Sequence, residues 1–199
     1  MKKLIFLLFF IMIIPNLSIA VSYNSDPKIF VEELVGDAVK ILEDKSIGKK
    51  DKDNAIRKIA LENVDIEGLG MYMLGNTRKT LDENTLNKYN LLFKKYFLKL
   101  MVSKLTDYSS SSFEILEAEQ KSAIYTIVKS KIGAGSDKPA IKINWRIFTK
   151  NPSKPLIRDL IAEGLSMARV QREEFSSILS SNNNDINALL ATFENFISN

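Results

Sequence analysis

The stretch from Leu156 to Leu179 constrains this chain more than any other. Its first part, Leu156 to Ala162, is short and β-branched enough to be the last strand of a sheet. Gly164 then breaks the pattern, and Leu165, Ala168, Gln171/Arg172, Phe175 and Leu179 recur at helical spacing. A strand that runs into a helix across one glycine leaves a corner with little slack. The helix has to fold back over the sheet it has just left. The mouth of whatever the protein encloses is expected at that corner.

The rest of the chain supplies helices first and strands afterwards. Asp26-Pro27 opens a helix, with Asp as N-cap and Pro at the first helical position. Phe30, Leu34, Ala38 and Ile41/Leu42 form its apolar stripe to about Asp44, and Gly48-Lys49-Lys50 reads as a loop. A second helix over about 52–63 buries Ile56, Ile59 and Ala60. Asp65 can cap a short helix that Gly75 ends in a left-handed residue. Thr80-Leu81-Asp82-Glu83 has capping-box spacing and predicts the start of the longest helix, to about Tyr108.

The period changes after Ser109 to Ser112. Residues 113–117, 122–132, 140–148 and 156–162 read as four strands, with turns at Gly133-Ala134-Gly135-Ser136 and Asn151-Pro152-Ser153-Lys154. Ile141, Ile143, Trp145 and Ile147 share one strand face, expected to point at helices; Lys142, Asn144 and Arg146 share the other. Asn182 to Asp185 separates two C-terminal helices. The fold class is therefore α+β, a twisted antiparallel sheet of about four strands covered by several helices.

The N-terminus reads as an export signal. Lys2 and Lys3 precede an apolar run from Leu4 to Ile14, Pro15 breaks it, and Ser18-Ile19-Ala20 fits cleavage after Ala20. The run is shorter than the roughly 20 apolar residues that span a bilayer. The division expected is a signal peptide over 1–20 and one exported domain over 21–199. Removing Lys2 and Lys3 lowers the net charge from +4 to +2, and the lysines are scattered, so nucleic acid is not an expected partner. The chain has no cysteine and no histidine. Disulfides contribute nothing, no Ser-His-Asp arrangement can form, and the usual zinc and iron ligands are missing. No enzyme, metal or cofactor is expected.

Two stretches together resemble the MlaC family of periplasmic phospholipid-binding proteins, also known as toluene-tolerance or ABC-transporter auxiliary proteins. One runs from Val64-Asp65 through Met73-Leu74-Gly75-Asn76-Thr77-Arg78 into the aromatic helix that ends near Tyr108. The other is Asp159-Leu160-Ile161-Ala162-Glu163-Gly164-Leu165-Ser166-Met167, followed by Arg172 and Phe175. Family members often carry Trp where this chain has Thr77 and Pro155. The resemblance implies helices and sheet enclosing an apolar pocket for phospholipid tails. It implies a carrier that shuttles lipid between an outer-membrane lipoprotein–porin complex and an inner-membrane ABC transporter with an MCE-type subunit, maintaining outer-membrane lipid asymmetry. The lipid-lining candidates are Leu69, Tyr72, Met73, Phe93, Phe97, Met101, Tyr125, Ile127, Ile143, Trp145, Ile161, Leu165 and Met167.

Competing readings apply to several of these positions. Met71, Met73, Met101 and Met167 suit either an adaptable lipid pocket or an ordinary core. Gly164-Leu165-Ser166-Met167-Ala168 mimics a nucleophile elbow, but without histidine Ser166 is more simply a helix-start residue. Asp159 reads as a structural acceptor of backbone N–H groups or as a ligand contact, and Arg158 and Glu163 as surface charges. Two other functions fit the same pattern: an adaptor module whose core is filled by its own side chains, and a hydrolase using Ser166 with a lysine.

Overall fold

The structure, a computed structural model, describes residues 22–105, 112–133 and 140–199. The expected signal peptide, the helix end at Tyr108 and most of the Gly133–Ser136 turn lie outside the described residues. Four helices come first: α1 (Pro27–Glu43), α2 (Lys49–Asn63), α3 (Ile66–Leu74) and α4 (Glu83–Leu105). Five strands follow: β1 (Ser112–Ser122), β2 (Tyr125–Gly133), β3 (Ile141–Phe148), β4 (Leu156–Ala162) and the short β5 (Leu165–Ser166). Helices α5 (Met167–Ser181) and α6 (Ile186–Ser198) close the chain. No helix among the described residues is long and apolar enough to cross a membrane.

The helix starts follow from their caps. Asp26 Oδ1 accepts from the backbone N–H of Lys28 and Ile29 at 2.9 and 3.0 Å, and Pro27 occupies the first turn. Asp65 Oδ1 accepts from Gly68 N at 3.0 Å to open α3. The cap of α4 differs from the sequence expectation. Thr80 is consumed in closing a 3₁₀ turn (Gly75–Lys79) onto Thr77 O, and Asp82 caps the helix through the N–H and hydroxyl of Thr85.

The strands form an open antiparallel sheet in chain order, one strand more than the sequence pattern predicts. The extra strand changes the corner after Ala162. Glu163 and Gly164 both take positive φ, 46° and 84°, as the two central residues of a primed hairpin turn do. Glu163 is held there from both ends: its N–H donates to Lys142 O at 3.0 Å and its carboxylate accepts from Lys142 N at 2.6 Å. Ile161 then pairs with Ser166 and Ala162 with Leu165 before α5 begins. The strand does not pass into the helix directly; it turns back for two residues first.

Two apolar cores result. In one, Phe30, Val31, Leu34 and Val35 of α1 pack on Val128, Trp145, Ile147 and Ile157 of the sheet. The alternating face of β3 therefore meets a helix, as its pattern predicts. In the other, α3, α4, α5 and α6 pool Tyr89, Phe93, Tyr96, Phe175 and Phe193 with leucines and Met73. Gly70 lets α3 and α4 approach closely, because a Cβ there would lie 2.7 Å from Phe93 Cδ1. Tyr89 donates to Gly70 O at 2.8 Å from inside this core.

Candidate functional site

Among the described residues, α3 and α5 cover the β4 side of the sheet face opposite α1. Alternation places Lys142, Asn144 and Arg146 of β3 on that face. Arg158 reaches the same side by a different route. Arg146 pairs with Asp159 and Ile147 with Ile157, so Arg158 is the extra residue of a β-bulge. Without that bulge, a residue next to Asp159 would point through the sheet to the α1 side.

Between this face and the helices lies a cavity of about 190 Å³, lined by Gly68, Leu69 and Tyr72 of α3, Tyr125, Arg146 and Arg158 of the sheet, and Ala168 of α5. Where the sequence leads one to expect an apolar pocket, the lining mixes ring faces and aliphatic carbons with two guanidinium groups. Arg158 is held on three sides. Its Nε pairs with Asp65, Nη1 donates to Tyr125 Oη at 2.8 Å, and its guanidinium stacks 3.4 Å from the Phe148 ring centroid. Arg146 is not: Asp159 lies 3.7 Å away, and the Arg146 side chain is 46% exposed.

Asp159 is buried, 4% exposed, and its carboxylate is spent on the start of α5. Oδ1 accepts from Ala168 N at 3.0 Å and Oδ2 from Ser166 Oγ at 2.6 Å. Ser166 Oγ in turn accepts from Arg169 N at 3.1 Å. Ser166 is thus the N-cap of α5 rather than an elbow nucleophile, and Asp159 is the structural acceptor that one of its two readings anticipated. At the rim, the Arg172 guanidinium lies 4.9 Å from the Tyr72 ring centroid. A second groove of about 470 Å³ is lined by Leu116, Lys129, Ser130, Lys142, Asn144, Glu163 and Gly164. No group of three or more His, Cys, Asp or Glu among the described residues could hold a metal ion.

The structure distributes the lipid-lining candidates over four places. Leu69, Tyr72 and Tyr125 line the cavity. Met73, Phe93, Phe97 and Met101 belong to the helical core or pack against it. Ile143 and Trp145 lie in the α1–sheet core, where Trp145 Nε1 donates to Ser130 Oγ at 2.9 Å. Ile127 is buried and Ile161 half-buried in their strands, while Leu165 and Met167 are exposed at the start of α5. The cavity residues that sequence reasoning missed are Gly68, Ala168, Arg146 and Arg158, of which the two arginines carry charge. Arg146 was recoverable from its place on the polar face of β3; Arg158 was not, because a bulge leaves no mark in the pattern.

An α+β domain of this arrangement has been seen holding lipid. The phospholipid-binding protein of Ralstonia solanacearum, solved in complex with a phospholipid, shares the fold with a TM-score of 0.68 over 84% of this chain and 94% of that one, at 12% sequence identity. The sequence model of the MlaC protein family matches residues 32–195, and the chain belongs to that family. No curated protein matches it.

Proposed function

We propose that this chain is a periplasmic phospholipid carrier. The observation that carries the reading is its membership of the MlaC family across residues 32–195, on a fold also found around a bound phospholipid. The cavity of about 190 Å³ is smaller than the ~300–1,000 Å³ of ordinary ligand sites. This cavity therefore admits two acyl chains only if the α3–α5 layer moves away from the sheet, with Leu69, Tyr72 and Tyr125 at the threshold.

Energetics requires partners. About 30 buried methylenes at ~0.8 kcal/mol each give a gross transfer term from water beyond ~20 kcal/mol. The bilayer already shelters those chains, so transfer from membrane to protein is near neutral, whereas free lipid in water is essentially absent. Such a carrier loads and unloads by docking. The partners proposed are an outer-membrane lipoprotein–porin complex and an inner-membrane ABC transporter with an MCE-type subunit, in the service of outer-membrane lipid asymmetry. Export through residues 1–20, with cleavage after Ala20, puts the chain where both can be reached.

A second reading, an adaptor with no ligand, is favoured by the two cores being filled by their own side chains. Organic extraction of the purified protein, followed by lipid mass spectrometry, separates the two. Co-purifying phospholipid at a fixed ratio to protein is expected. A preparation that carries none, and takes none from phospholipid vesicles, leaves the adaptor.

A further inference from the structure

We infer that Arg146 and Tyr125 form a phosphate-oxyanion site in the cavity, so that the protein grips the phosphodiester of its lipid and not only the tails. The inference rests on the carrier reading for the source of the anion and on the geometry for its chemistry. Two guanidinium groups enter one small cavity, and they are held differently. Arg158 donates to Asp65 and Tyr125 and stacks on Phe148, so it builds the floor.

Arg146 has no comparable partner. Its Nη1 forms an ion pair with Asp159 Oδ2 at 3.7 Å, beyond hydrogen-bond length, and that carboxylate also accepts from Ser166 Oγ and Ala168 N. Asp159 thus anchors Arg146 electrostatically while leaving the planar donor fork open to a bidentate oxyanion. Tyr125 Oη accepts from Arg158 Nη1, which leaves its own O–H to donate. Each of the two guanidiniums faces one carboxylate, Arg158 with Asp65 and Arg146 with Asp159, and of these four groups only the two arginines line the cavity. Size supports the assignment. The cavity of about 190 Å³ lies below the ~300–1,000 Å³ of ordinary ligand sites, room for a phosphate group rather than a diacyl tail.

The test compares wild type with Arg146→Gln and Tyr125→Phe, with circular dichroism verifying the fold. Each is incubated with vesicles containing dioleoylphosphatidylglycerol or the phosphate-free dioleoylglycerol, and in a separate arm with inorganic phosphate alone. Wild type is expected to take up the phospholipid about tenfold better than the diacylglycerol, and Arg146→Gln to lose that preference, with Tyr125→Phe losing part of it. Saturable inorganic-phosphate binding that depends on Arg146, with neither lipid taken up, keeps the anion site but makes free phosphate its ligand and ends the carrier reading. If wild type takes up both lipids equally, or Arg146→Gln keeps the full preference, the anion site is wrong while the carrier reading survives. Should wild type bind neither lipid nor phosphate, both fall.

Discussion

The two cores of this protein are built differently, and the difference locates where it can open. The helical core is a pool of rings: Phe193 lies 4.7 Å from Tyr96, 5.1 Å from Phe175 and 6.2 Å from Phe93, centroid to centroid. The α1–sheet core is mainly aliphatic, with Trp145 tied by a hydrogen bond to Ser130. Between them runs a strip of polar side chains, Asp65, Arg158, Tyr125, Arg146, Asp159 and Ser166. Val64, which bridges to Ile157 at the free edge of β4, packs against both cores. Parting two layers along a polar strip exposes groups that water can solvate, whereas parting either core exposes rings or aliphatic carbon. The opening for a ligand belongs at the strip.

The largest effect is expected within the ring pool. Phe93 contacts Tyr89, Phe97, Phe175 and Phe193 and is 1% exposed, so Phe93→Ala should cost about 3–5 kcal/mol in denaturant unfolding. A loss below about 1 kcal/mol would mean that the ring pool is not rigidly packed. Next comes the strip itself. Asp159→Asn removes the charge from two hydrogen bonds and leaves one donor badly met, at a cost of about 2–3 kcal/mol. Hydrogen exchange should show the loosening at the start of α5 and not in α1. Uniform loosening would contradict a seam.

An alkaline titration separates the cores more gently. Burial, reinforced by Glu174, pushes the Tyr96 phenol up to about 12, and burial raises Tyr89 beyond that. Burial, with Asp37, likewise pushes Tyr23 beside α1 up to about 12. Each raised phenol holds its proton better folded than unfolded, so the stability it contributes is complete below the unfolded value near 10 and lost as pH climbs towards 12. Unfolding midpoints should hold steady up to about pH 10 and fall above it. Ultraviolet absorbance should show Tyr89 and Tyr96 ionising together with the loss of fold; free ionisation near pH 10 would mean that the helical core admits water.

The smallest effect expected is none at all. Trp145, the sole tryptophan, sits on the α1 side of the sheet, away from the cavity. Its emission should not shift when lipid is removed or restored. A shift with the fold intact would move the ligand to the α1 side, among Ile143 and Trp145.

Much of this was legible in the sequence where one residue decides one local structure. Asp26-Pro27 and Asp65 mark true helix starts, Leu156–Ala162 is β4 to the residue, and the isoleucines of β3 meet α1. Other features depend on partners elsewhere in the chain. The far half of β1, Glu117 to Lys121, carries no alternation because both of its faces meet solvent. The β4–β5 hairpin needs Glu163 at positive φ, a state sequence preference argues against until its bonds to Lys142 are seen. The cavity is least legible, since its floor depends on Arg158 being bulged across from Arg146.

The central claim is that phospholipid is held between the α3–α5 layer and the sheet. A phospholipid with a photoreactive group on its acyl chain, loaded from vesicles and cross-linked in place, tests it directly by peptide mapping. Labels are predicted on α3 around Leu69 and Tyr72. Labels confined to α1 around Phe30 and Leu34, or no label above that on a protein that binds no lipid, would contradict it.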